Sequence, residues 1–159
     1  MIIEKLTTEL HEIITSISIR IKEINTNDFN ANANPNPTKW SKKEVLGHLI
    51  DSAHNNLRRF VVGQYEQQPN IVYDQDYWVS ANDYQHMNDV DVIMLWQLLN
   101  ERIIVVLKNM PMENCNRTCD TGKISPSIYT IEWLAADYVK HLKHHLNQII
   151  AGSFNIIYP

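Results

Sequence analysis

The residues best suited to chemistry are histidines. The chain has seven, and two of them stand four apart in the run His141-Leu142-Lys143-His144-His145. On a helix that spacing puts His141 and His145 on one face, roughly 5–6 Å apart at Cβ. Leu134, Tyr138 and Ile149 share this face, so it points inward. Two inward imidazoles at i and i+4 can place two nitrogens on one metal ion. His144 lies about 60° away, beside Asp137 and Gln148, at the edge of such a site or in solvent. A third imidazole comes from His48. Measured from it at about 100° per residue, Asp51 falls near 300°, Ser52 near 40°, Asn55 near 340° and Arg59 near 20°. These five polar residues form one stripe beside the apolar stripe of Leu46, Leu49, Ile50, Ala53, Leu57 and Phe60. A solvent face usually mixes Lys and Glu, whereas a stripe of this kind suits the wall of a polar cavity.

One histidine from one helix and two from another make three nitrogen ligands, which leaves coordination positions open and suits a catalytic ion better than a structural one. Such an ion lowers the pKa of bound water from about 15.7 towards 7. A thiol bound there is held as the nucleophilic thiolate. The same site therefore supports hydrolysis or thiol transfer. Arg59 and Asn55 can orient a carboxylate or amide of a substrate or thiol cofactor. Asp51 can accept a hydrogen bond from His48 or from the bound nucleophile, and equally can pair only with solvent. Trp78 sits in a loop, where substrate contact and packing onto the bundle are both open. The plainer alternative is that the histidines are incidental, since spacing alone does not bring the two helices together. Cys115 and Cys119 lie in a different loop and have no partner pair, so they read as incidental thiols.

The elements that must position these residues are helical. Leu6, Leu10, Ile13, Ile14, Ile17, Ile21 and Ile24 mark a first helix over about Glu4–Ile24. The connector 25–37 alternates Asn and Pro. Ser41 with Glu44 forms a capping box, and Trp40 with Val45 occupies the positions of a hydrophobic staple, so a second helix runs to about Tyr65. Residues 73–78 can hold a short helix within a longer loop. A third helix over about Asp89–Met110 is stopped by Pro111. Residues 112–129 read as an irregular excursion, in which Ile124–Ile131 can form at most one hairpin arm, with nothing to support a sheet. The last helix starts near the cap residue Thr130 and ends near Ala151 and Gly152. The expected fold is all-α: a four-helix bundle with long connecting loops, forming a single domain over 1–159.

Composition narrows the partners. The net charge is −4, from 14 basic and 18 acidic side chains, which disfavours nucleic acid. No apolar run approaches the roughly 20 residues of a membrane span, and the N-terminus lacks the look of a cleaved signal, so a cytoplasmic protein is expected. Four glycines leave little scope for Gly-rich phosphate loops, and two cysteines are too few for a disulfide scaffold.

Several motifs together resemble one family. Trp40-Ser41 leading into Gly47-His48-Leu49-Ile50-Asp51-Ser52, then Asn56 and Arg59-Phe60, then Tyr73-Asp74 with Trp78, then Tyr138-Val139 with His141, His144 and His145, resemble the DinB-like superfamily in order and separation. Within it they resemble the YfiT-type group of metal-dependent hydrolases and bacillithiol S-transferases. The resemblance covers nearly the whole chain. It implies a four-helix bundle holding a divalent ion, commonly nickel or zinc, on His48, His141 and His145. It also implies a small electrophilic substrate, a low-molecular-weight thiol as a possible co-substrate, and a possible homodimer. A counterpart of the additional C-terminal domain of the mycothiol-dependent isomerases is not expected, which argues against that branch. Lys143 and Asn147 depart from the more histidine-rich cluster of the bacillithiol enzymes, which leaves the thiol open. The alternative function is a non-catalytic stress-response bundle that binds a metal or ligand and acts through a dimer or partner.

Overall fold

A computed structural model describes residues 2–32 and 40–158. Four long helices carry the core: α1 (Ile2–Lys22), α3 (Lys42–Val62), α5 (Asp89–Asn109) and α6 (Ile131–Ile149). Two short ones, α2 (Thr26–Phe29) and α4 (Gln75–Asn82), lie in the connections. The mostly helical architecture is the one the apolar periodicity predicts. Each long-helix start after α1 has a side-chain cap. Ser41 and Glu44 form the expected capping box on α3, Asn88 caps α5, and Thr130 caps α6. Each cap satisfies an otherwise unpaired N–H and is worth about 1 kcal/mol.

The helices pack as a ring, α1 against α5, α5 against α3, α3 against α6 and α6 against α1. Chain order is α1, α3, α5, α6, so two connections cross the diagonal. Lys43 pairs with Asp89 at 2.8 Å, which puts the starts of α3 and α5 side by side and makes these neighbours parallel. Parallel neighbours need a return crossover, supplied by residues 63–88 with α4 inside it. This explains the long connectors, which a simple up-down bundle would not need. α6 runs back against α3, so the first turns of α3 meet the last turns of α6.

The sequence expectation fails in three places. The connector 25–37 is not wholly irregular. Asn25 caps α2 and Phe29 is buried, while 33–37 lie outside the described residues. The excursion 112–129 does contain a paired ribbon: β1 (Thr118–Asp120) lies antiparallel to β2 (Ile128–Thr130). Asp120 closes it by accepting the N–H groups of Gly122 and Ser127 at 2.9 and 2.8 Å. Three-residue strands are too short to show a period. Trp78, read as a loop residue, lies in α4, the short helix allowed within 73–78 and here extended to Asn82.

The core joins Leu10, Ile14 and Ile17 of α1 to Leu46, Leu49 and Phe60 of α3, Trp96 of α5 and Leu142 of α6. One contact there bears on the site. A Cβ on Gly47 would stand 2.1 Å from the Tyr84 ring, so only glycine lets that ring lie flat on α3 with its hydroxyl 2.7 Å from Asp51. Gly47→Ala is expected to displace Tyr84 and destabilise the protein by about 1–3 kcal/mol, read as a lowered midpoint in urea unfolding.

Candidate metal centre

The seam between α3 and α6 brings His48, His141 and His145 together. One ligand atom from each lies within 4.8 Å of the others. His48 Nε2 and His141 Nε2 are 3.2 Å apart, and the three ring centroids stand 4.5–5.1 Å from one another. Two nitrogens about 2.1 Å from one ion can be at most about 4.2 Å apart, so the set fits one ion with sub-ångström ring adjustment. No carboxylate or thiol joins the group among the described residues.

Hydrogen bonds orient two of the rings. His141 Nδ1 is 3.5 Å from Ser52 Oγ, and His145 Nδ1 is 3.1 Å from Gln148 Oε1. With Nδ1–H donating to these oxygens, each Nε2 is left with a free lone pair. Asn56 Nδ2 also donates to Ser52 Oγ, at 3.3 Å. The fully buried His48 lacks a hydrogen-bond partner for Nδ1 among the described residues. Its ring is held by stacking, with Trp40 4.9 Å away and inclined by 29°. Trp40 is therefore a neighbour of the site as well as a staple residue.

Electrostatics favour the metal-binding form. Burial first, then the neighbouring His145, pushes the His48 pKa down to about 3. Burial, then the other imidazoles, holds His141 well below the usual range. His145 is lowered by burial, against the opposing bond to Gln148. All three are neutral at pH 7, as ligands must be.

The other sequence-predicted residues divide. Asp51 is fully buried, but Tyr84 Oη and Asn82 Nδ2 donate to its Oδ1 at 2.7 and 3.0 Å. No bond to His48 forms. Burial raises the Asp51 pKa to about 6, against those two hydrogen bonds. Asn55 is also buried, and its amide donates to the Asp51 carbonyl of its own helix at 2.9 Å. Trp78 packs near Tyr73 and His54, with centroids 5.9 and 6.4 Å away. Of these, only Arg59 lines a polar cavity of about 420 Å³ between α3, the crossover and α6, whose walls include none of the three histidines. His144 lies outside the trio, its ring 4.9 Å from that of His145. Cys119 is buried in the core and Cys115 half-buried, and both are free thiols.

Three residues escaped the sequence reading. Tyr73 lines the cavity, and its ring packs edge-on against Trp78. Asp137 lines the same cavity, one turn before His141. Tyr158 reaches its carboxylate, donating at 3.2 Å to Oδ1, and its ring lies 5.7 Å from His141. The tail is returned by a clasp, in which the Asn147 amide and the Phe154 backbone exchange two hydrogen bonds of 2.9 Å. The Tyr73-Asp74 motif was a signal for the first residue. Nothing local marks the other two.

A profile of the DinB superfamily matches residues 9–149. The chain belongs to the DinB superfamily. Curated relatives from Bacillus cereus and Bacillus anthracis, provisionally named metal-dependent hydrolases, are 28% identical over 109 residues, 65% of this chain. The match spans 62% of those relatives' length. YfiT from Bacillus subtilis, described as a metal-dependent hydrolase on a provisional basis with an unusual four-helix bundle topology, superposes with a TM-score of 0.83. That match is at 23% identity and covers 92% of this chain and 83% of YfiT. The mycothiol-dependent maleylpyruvate isomerase gives 0.77 at 9% identity, over 94% of this chain and 61% of that one. Both structural matches show a shared fold. No described helix is long and apolar enough to cross a membrane.

Two outcomes are expected. Ser52→Ala, which frees His141 Nδ1, should lower metal affinity by ~10-fold or more in a competition titration. The metal-free protein should lose stability in acid. Unfolded histidines titrate near 6.5, above the folded values, so the unfolded chain binds more protons below that pH. Stability is then full above about pH 6.5 and falls as pH drops towards 3. Asp51 has the opposite sign, its burden growing as pH rises through about 6. Urea midpoints in chelator should therefore fall from pH 7 to pH 5, and less so for His48→Leu.

Proposed function

We propose that the chain is a metal-dependent enzyme, binding a divalent ion on His48, His141 and His145 and acting on a small electrophilic substrate with a thiol or water as nucleophile. The observation that carries this is the convergence of three neutral imidazoles, one buried and two half-buried, without a fourth protein ligand among the described residues. The provisional naming of the Bacillus relatives as metal-dependent hydrolases agrees with it. Nickel or zinc is the ion this reading expects, a low-molecular-weight thiol its possible co-substrate, and a cytoplasmic homodimer its setting.

A divalent ion in this donor set supplies Lewis-acid activation of a water or thiol. The chain supplies the rest. Ser52 and Gln148 hold the Nδ1 sides of the His141 and His145 rings. The Trp40 ring lies over His48 and the Tyr158 ring against His141, which limits the water around the imidazoles. Arg59 and Tyr73 face the cavity and present donors to a polar substrate. Asp51 acts indirectly, anchoring Tyr84 and Asn82 against α3. Asn55 bonds its own helix, and Trp78 packs against the cavity residue Tyr73.

The test is elemental analysis of the purified protein, followed by turnover of an electrophile panel with and without added thiol. About one equivalent of divalent metal per chain is expected, with activity lost in chelator and restored by nickel or zinc. His141→Ala should lose the metal and reduce turnover by ~100-fold or more. Rates that need added thiol mark a transferase, and thiol-independent rates mark a hydrolase. A metal-free protein whose activity survives chelation overturns the reading.

A further inference from the structure

The polar cavity between α3, the crossover and α6 carries two opposite charges that do not neutralise each other. Arg59 and Asp137 both line it, one from α3 and one from α6, and each senses the other's field. No ion pair joins them or engages either with another side chain among the described residues. Arg59 spends three donors on neutral acceptors: Nε and Nη2 on the Ile71 carbonyl at 3.2 and 2.8 Å, and Nη1 on Asn56 Oδ1 at 3.3 Å. A guanidinium has five N–H groups, so one on each terminal nitrogen remains. Asp137 receives only the Tyr158 hydroxyl, at 3.2 and 3.3 Å. Both charges are partly withdrawn from water. Burial pulls the Arg59 pKa down and pushes that of Asp137 up.

Two partly buried, opposite, unpaired charges facing one space are costly in an empty site and favourable when a ligand brings their counterparts. The remaining walls say what joins those counterparts. Tyr129 and Trp133 stack at 3.9 Å with 13° between their planes, and with Val72 and Leu134 they give the cavity an apolar side. Of the remaining lining charges, Asp74 caps α4 through Tyr77 N–H at 3.0 Å, and Asp76 and Lys123 are exposed.

We propose that this cavity binds a small amino-carboxylate with an apolar portion, its carboxylate on Arg59 and its ammonium on Asp137. The ligand would then lie next to Tyr73 of the crossover, which lines the same cavity. Its role as substrate or co-substrate rests on the enzymatic reading above, whereas its binding does not.

The test is calorimetric titration of the full chain, chelator-treated and metal-loaded, with L-phenylalanine, L-methionine and L-cysteine. The amide and the N-acetyl derivative of each serve as matched controls. Saturable binding of at least one amino acid below ~10 mM is expected, with both derivatives weaker by ~10-fold or more. Arg59→Gln should erase the preference for acid over amide, and Asp137→Asn the preference for amine over N-acetyl. The proposal is overturned if no amino acid binds, if the derivatives bind as well as the parents, or if neither variant changes the preference. The wild-type derivative series decides even where a variant folds poorly. Binding to chelated protein tests the cavity and elemental analysis tests the histidine centre, so either can fail without the other.

Discussion

The polar stripe of α3 is largely buried, so most of its groups must find partners inside the protein. That constraint organises the rest. His48 turns towards α6 and its two histidines. Ser52 reaches His141, and Asn56 supports Ser52. Asp51 takes Tyr84 and Asn82 from one end of the crossover, and Arg59 takes the Ile71 carbonyl from the other. The groups that shape the site are thus the same ones that fasten residues 63–88 to the bundle. An uncompensated polar atom at any of these positions costs roughly 1–3 kcal/mol, so site geometry and fold stability are linked.

Helix order follows from the same linkage. α3 and α5 run parallel, so the chain must travel the length of the bundle between them. The crossover spends that length along α3, where the polar stripe would otherwise face water. It delivers Tyr73 to the cavity and Tyr84 to Asp51 on its way. A short hairpin between antiparallel helices would leave the histidine seam without one wall.

Much of this was legible in the sequence because the ligands lie on long, strongly periodic helices. The i,i+4 pair His141 and His145, and the angular position of His48 over the stripe, needed only the 3.6-residue repeat. The capping box at Ser41 and the stop at Pro111 are likewise local. What the sequence did not show depends on distant partners. Asp51 looked like a neighbour of His48, but its hydrogen bonds come from residues more than thirty positions away. Asn55 lies on the stripe, yet it faces back to its own helix. Arg59 was recognisable as a ligand-binding cation, while Asp137, its counterpart across the cavity, was placed only beside His144, at the edge of the site or in solvent. The ribbon 118–130 was missed because three-residue strands show no period.

The Asn147–Phe154 clasp has a practical consequence. By turning the tail back, it sets Tyr158 beside the His141 and His144 rings. Anything fused behind that tyrosine emerges next to the imidazoles. An oligohistidine purification handle at this end would offer competing nitrogen donors within reach of the centre and distort any measured metal stoichiometry. A handle placed ahead of α1 begins at the far end of the bundle and avoids the interference.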